Sequence, residues 1–165
     1  VPTIFSHPAV PLALRRVFGE LPRSVVAAAV IGSIAPDFDV IGFAFHVPYG
    51  STFGHRGFTH SIVFALLCGA IAALACRTRV AFMYVFVSTL SHPLLDAMTN
   101  GGRGVAFFSP FSNRRYFFPW RPIEVSPIGA LDFDVLRNEL LWVWLPCGAV
   151  ALLFAIRGRA SRAGG

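Results

Sequence analysis

Seven residues in this sequence have side chains suited to holding a metal ion: His7, Asp37, Asp39, His55, His60, His92 and Asp96. Imidazole nitrogens combined with carboxylate oxygens suit zinc, manganese or iron, whereas calcium takes oxygen ligands alone. Zinc is the first choice, as one or two ions. A divalent ion so held lowers the pKa of coordinated water and polarises a phosphoryl or acyl oxygen, and a free carboxylate nearby can take the proton. Asp39 or Asp37 is the candidate for that base, since both need not be ligands, and Glu139 is a further carboxylate that could reach the site. Arg56, Arg114, Arg115 and Arg121 could pair bidentately with phosphate oxygens. Their alternative role is interfacial, snorkelling toward lipid headgroups. Each ligand taken singly also has an ordinary reading: Asx turns for Asp37 and Asp39, a surface loop for His55, a hydrogen bond inside a bundle for His92. His46 has no spaced partner and reads as structural.

Composition says where the elements that position these residues must sit. The chain is 55% hydrophobic and only 13% charged, against the roughly 25% charge of a soluble domain, so water is not its only solvent. Ile62 to Cys76 and Leu140 to Ile156 carry no charge at all, and each approaches the roughly 20 residues needed to cross a bilayer core. Val80 to Leu95 is apolar apart from Ser88, Thr89, Ser91 and His92. Capping and proline signals predict a first helix from Ser6 or His7 to Phe18 and a second from Arg23 to Ala35, stopped by Pro36. Residues 36 to 58 read as a loop, with Thr59 the N-cap of a third helix ending at Cys76. Arg77 to Arg79 leaves room only for a tight turn, which makes an antiparallel hairpin with a fourth helix ending near Ala97. Residues 98 to 136, with several aromatics and Pro110, Pro119, Pro122 and Pro127, read as an ordered loop capping the bundle. A last helix starts near Asp134 to Asn138, bears a kink at Pro146 and exits at Arg157. The expectation is an all-α integral membrane bundle of about five helices. It forms one domain over residues 1–157, followed by a basic disordered tail over 158–165.

This path brings the ligands to one end. His7 opens the first helix, Asp37 and Asp39 follow the second, His55 and His60 flank the start of the third, and His92 and Asp96 close the fourth. His92 and Asp96 are four apart and stack on one helical side. Ionisable groups at membrane depth are costly and need a partner or a task. Arg15, Arg16, Arg23, Arg77, Arg79, Arg157, Arg159 and Arg162 fall on the opposite face, which the positive-inside rule makes cytoplasmic. The expectation is N-terminus out and C-terminus in, with the ligands extracytoplasmic. The first two helices are also short enough for a re-entrant hairpin.

Other signals exclude more than they assert. All 14 basic residues are arginines, dispersed along the chain, and nucleic-acid binding does not follow from them despite the net charge of +6. Cys68, Cys76 and Cys147 lie in apolar helices without zinc-site or disulfide spacing and read as core residues. The start lacks the pattern of a cleavable signal peptide. No His-Glu-x-x-His run occurs for an intramembrane zinc protease. The chain has no lysine for the Lys-Arg-Pro motif of metal-free phosphatidate phosphatases.

Three blocks carry a resemblance: Pro36-Asp37-Phe38-Asp39, then Gly54-His55-Arg56-Gly57-Phe58-Thr59-His60-Ser61, then Ser91-His92-Pro93-Leu94-Leu95-Asp96. With His7 they resemble the YdjM-like family, described as metal-dependent hydrolases of the bacterial inner membrane, some linked to the LexA regulon. The order His, Asp, His, then His-x-x-x-Asp is also similar to the first half of zinc-dependent phospholipase C. The later His and His-x-x-x-Glu ligands of that enzyme are missing, so a full three-zinc site is not expected. The resemblance implies a multi-pass inner-membrane hydrolase of a phosphoester, with a phospholipid-like substrate reaching the site from the bilayer. The alternative is a non-catalytic membrane protein with a structural metal or a role as a binding partner in a stress response. The residues carry no signal for oligomeric state.

Overall fold

The structure, a computed structural model, describes residues 2–126 and 132–163. A short α1 (Ala9–Leu14) turns at Gly19 into α2 (Arg23–Ile34). α3 (Ile62–Cys76) and α4 (Arg79–Ala97) form the predicted hairpin. Arg77 takes the left-handed conformation between them, and the Thr78 side chain accepts a bond from Val80 N. α5 (Phe133–Glu139) leads through a π-helical turn (Leu140–Trp144) into α6 (Leu145–Ala163), so this last rod is continuous. With that rod counted once, five helices make the bundle among the described residues. Extended pairing among the described residues is limited to two isolated bridges, Thr99 with Ile123 and Val105 with Tyr116, both in the loop that caps the bundle.

Several local expectations are corrected. Pro36 does not end the second helix: the chain goes on as a 3-10 helix over Ala35–Phe45, where the predicted loop should begin. Proline is tolerated because it stands in the first turn of the 3-10 segment, where its missing N–H has no partner to lose. Ser61, not Thr59, caps α3, accepting from Phe64 N at 3.1 Å. The irregularity expected at Pro146 is the π-helical turn just before it, where the wider winding accommodates a residue that cannot donate. α6 runs to Ala163 through the stretch predicted as a disordered tail; Gly164, Gly165 and Pro127 lie outside the described residues. Cys76 is exposed rather than in the core, and Cys68 and Cys147 are half-buried.

Polarity is arranged for a bilayer. Phe38, Ile41 and Phe45, Leu67, Ile71 and Leu74, and Leu145, Leu152 and Ile156 are exposed, while Ser33, Ser88, Thr89, His92 and Asp96 are buried. A bundle with apolar groups outside and polar groups within has lipid as its solvent. Three segments are long and apolar enough to cross: Arg23–Phe45, Arg79–Ala97 and Phe133–Gly158. Ile62–Cys76 is apolar but shorter, about 22 Å at the helical rise. α1 is about 9 Å long and cannot cross, so the expected path of five full crossings is not kept, while α2 with its 3-10 extension is long enough to cross.

Small residues let the backbones approach closely. A Cβ on Gly32 of α2 would stand 2.5 Å from Thr89 Oγ1 of α4, and one on Gly69 of α3 would stand 3.0 Å from Phe82 O. With little hydrophobic drive between helices in lipid, such close approach is a main source of association. It also brings the end of α2 against the polar half of α4. Gly32→Val should therefore force α2 from α4, at a cost of about 1–3 kcal/mol. Thermal unfolding in detergent should show a lower midpoint. Gly148→Ala, where a Cβ meets nothing within 4 Å, should leave the midpoint unchanged or slightly raised.

Candidate metal centre

All seven ligand candidates are carried to one end of the bundle. His92 and Asp96 face inward from α4, fully buried. His60 ends a 3-10 turn (Phe58–His60) just before α3, also fully buried. Asp37 enters from the 3-10 extension of α2, its side chain 13% exposed. His60 Nε2, His92 Nε2, Asp37 Oδ1 and Asp96 Oδ2 then stand around a common centre. His60 Nε2 is 3.1 Å from His92 Nε2, 3.6 Å from Asp37 Oδ1 and 3.2 Å from Asp96 Oδ2. His92 Nε2 is 3.4 Å from Asp37 Oδ1 and 3.9 Å from Asp96 Oδ2. Ligands about 2.0–2.2 Å from a tetrahedral ion would be separated by about 3.3–3.6 Å, and these edges bracket that value.

Hydrogen bonds around the cluster fix which atoms face the centre. His92 Nδ1 donates to Ser33 O at 2.7 Å, and a carbonyl can only accept, so neutral His92 presents the lone pair of Nε2. His60 Nδ1 lies 3.1 Å from both Asp39 Oδ2 and Thr59 Oγ1. The Thr59 hydroxyl donates to Asp39 at 2.7 Å, so its oxygen is free to accept from His60. His55 Nδ1 donates to Asp39 Oδ1 at 2.6 Å, and Arg56 N donates to Asp39 Oδ2 at 3.1 Å. Asp39 thus receives bonds at both oxygens and orients two imidazoles. His55 completes a second grouping with Asp39 and His60.

The inner group is left short of partners. Asp37 Oδ1, both oxygens of Asp96 and both nitrogens of His7 are buried without a hydrogen bond. His7 stacks on His92 with ring centres 3.7 Å apart, and its Nε2 is 4.0 Å from Asp37 Oδ2. Burial pushes the His7 imidazole down to about 3, which keeps it neutral and able to ligate. Burial also lowers His60, but the nearby carboxylates of Asp37, Asp39 and Asp96 outweigh that and hold it well above the usual histidine range. The proton on His60 then stands where a cation would. Buried unsatisfied donors for a metal, together with lone pairs directed at one point, fit a divalent ion.

Arg56 is assigned differently from its predicted phosphate contact. Its guanidinium is buried, with Nε 3.2 Å from Asp96 Oδ2, Nη1 donating to Gly101 O at 3.0 Å and Nη2 to Thr99 Oγ1 at 3.1 Å. Arg115 donates to the carbonyls of His55, at 2.9 Å, and Tyr49, at 2.7 Å, and so ties the His-Arg-Gly segment to its neighbours. Arg114 and Arg121 are exposed over the rings of Tyr116 and Phe117. Glu139 accepts from Thr3 N, from Thr3 Oγ1 at 2.6 Å and from Ser6 Oγ at 2.5 Å. It pins the segment that carries His7 and positions a ligand rather than facing the cluster. Three partners went unseen in the sequence: the Ser33 carbonyl, the Thr59 hydroxyl and the Arg56 guanidinium. Only Arg56, beside His55 in a polar block, left a readable trace.

The chain has known relatives over most of its length. A family model described as YdjM inner membrane protein matches residues 3–163. Inner membrane protein YbcI of Escherichia coli (strain K12) is 42% identical, across 88% of this chain and 92% of that relative. No solved structure matches.

The Arg56–Asp96 pair makes a direct stability prediction. Arg56→Ala would leave a fully buried carboxylate without its guanidinium, and unfolding of the detergent-solubilised protein should show a loss of about 3–5 kcal/mol. Arg114→Ala and Arg121→Ala should stay within about 0.5 kcal/mol of wild type.

Proposed function

The chain belongs to the YdjM inner membrane protein family, and from that footing we propose that it is a metal-dependent hydrolase of phosphoesters. The close grouping of His60, His92, Asp37 and Asp96 carries the reading. These four hold one divalent ion, zinc first and manganese or iron otherwise, and His7 beside Asp37 and His92 is placed to complete the shell or share a second ion. When bound, such an ion lowers the pKa of water and polarises a phosphoryl oxygen.

The chain's own residues supply the rest. Asp39 has its acceptor positions taken by His55, His60, Thr59 and the Arg56 amide, so it orients and does not serve as the base. Asp39 holds His55 by Nδ1, and His55 takes the proton at its other nitrogen in the manner of an imidazole steadied by a carboxylate. Arg56 balances the charge of Asp96, and Thr59 sets the His60 tautomer. A phospholipid-like substrate suits a centre carried by membrane-spanning segments, of which Asp37 is the partly exposed inner carboxylate. The arginine-rich ends of α1, α2 and α6 lie away from it, which supports an extracytoplasmic site by the positive-inside rule.

A second reading is a structural metal that staples the loops. Complete burial of His60, His92 and Asp96 favours it, since closed sites keep no exchangeable position. Hydrolysis of a generic phosphomonoester and phosphodiester by zinc-loaded protein separates the two. Wild type should turn over, His60→Ala should not, and Asp39→Asn should retain metal but lose roughly 10–100-fold in rate. His46→Ala, at an exposed position, should match wild type. Equal rates for wild type and His60→Ala would remove catalysis from this site and leave the staple.

A further inference from the structure

Away from the metal centre, the turn between α1 and α2 and the later part of α6 enclose a groove of about 980 Å³. Arg23 opens α2 while Asp37 follows its end, so about 18 Å of helix separates this groove from the cluster. Its lining mixes two characters. Arg15, Arg16 and Arg23 supply three guanidinium groups against the single carboxylate of Glu20, and Leu12, Leu21 and Phe154 supply an apolar wall. All three arginines are exposed and able to turn into the groove. Leu12 of this wall is itself exposed, and Leu152, Leu153 and Ile156, on the other faces of α6, are exposed along the part of that helix apolar enough to cross a membrane.

We propose that this groove is a binding site for the headgroup of an anionic phospholipid, separate from the metal centre. Three features of the groove point to an amphiphile rather than a free anion. Its volume is in the range of small-molecule sites, about 300–1,000 Å³. Its guanidiniums match phosphate oxygens bidentately and stack with little hydration cost. Its apolar side includes Phe154 of a helix long and apolar enough to cross the bilayer, along which the acyl chains of a bound lipid would lie. Basic pockets between membrane helices recognise anionic headgroups on these terms. The lipid would also join α1 and α2 to α6 at the end of the bundle where they meet.

Native mass spectrometry of the full chain in a neutral detergent, with phosphatidylglycerol or phosphatidylcholine added, tests the site. Phosphatidylglycerol should be retained and phosphatidylcholine should not. Each arginine of the three replaced by alanine should weaken retention about fivefold. Arg77→Ala with Arg79→Ala, at the α3–α4 turn outside the groove, should leave it unchanged. Millimolar inorganic phosphate should not displace the lipid. Any variant that melts early is replaced by its lysine counterpart, which keeps the charge and should bind. Equal retention of the two lipids, undiminished binding in the triple alanine variant, an equal loss in the Arg77/Arg79 variant, or displacement by inorganic phosphate would each overturn the proposal.

Discussion

Asp37, Asp39 and Asp96 are brought within a few ångströms of buried imidazoles inside a bundle whose outer surface is apolar. Removing a carboxylate from water costs several kcal/mol even after relaxation, and it persists only when positive charge and hydrogen bonds answer it. The rest of the structure can be understood as that answer. Asp96 has Arg56; Asp39 has two imidazoles, a hydroxyl and a backbone amide. Asp37 has no such set, and its Oδ1 is left facing His60 and His92 without a bond. The imbalance is local, and a divalent ion at the shared centre would remove it.

Positioning of these groups is distributed over elements far apart in the chain. Gly32 lets α2 lie close enough to α4 for Ser33 O to meet His92 Nδ1. Tyr84 on α4 donates to Pro11 O at 2.7 Å and Glu139 holds Thr3 and Ser6, so α1 delivers His7 from both sides. The capping loop is bonded to helix ends: Phe118 N donates to Ala97 O at 2.9 Å and Ile62 N to Phe107 O at 3.0 Å. Ala106 N donates to Arg56 O at 3.0 Å, so the loop that covers the site also fixes the backbone of the residue neutralising Asp96. Loss of any one anchor would be felt at the ligands through the others.

Much of this was legible in the sequence because it depends on spacing. The i, i+4 pair of His92 and Asp96, the tight turn at Arg77 and the apolar runs follow from helical periodicity and bilayer thickness, and the structure keeps all three. The convergence of His7 with Asp37 needed only the short first hairpin. What could not be read depends on tertiary contact. Thr59 looked like a helix cap, yet its hydroxyl serves Asp39 while Ser61 takes the cap. Pro36 looked like a stop, but a proline in a first turn is also a beginning, and local sequence does not distinguish the two. Arg56 resembled a phosphate ligand because nothing local shows that it is buried against Asp96. Glu139 looked like a second base because its partners lie at the far end of the chain.

A single metal centre formed by His60, His92, Asp37 and Asp96 is open to direct measurement. Elemental analysis of the purified protein, paired with X-ray absorption at the zinc edge after reconstitution, addresses it most directly. At least one divalent transition metal per chain is expected, with a first shell of nitrogen and oxygen at about 2.0–2.2 Å, no sulfur, and a signature of two or more imidazoles. His92→Ala should lose both the metal and that signature. Protein that carries no transition metal as purified and takes up none on reconstitution would mean that these four residues hold no metal.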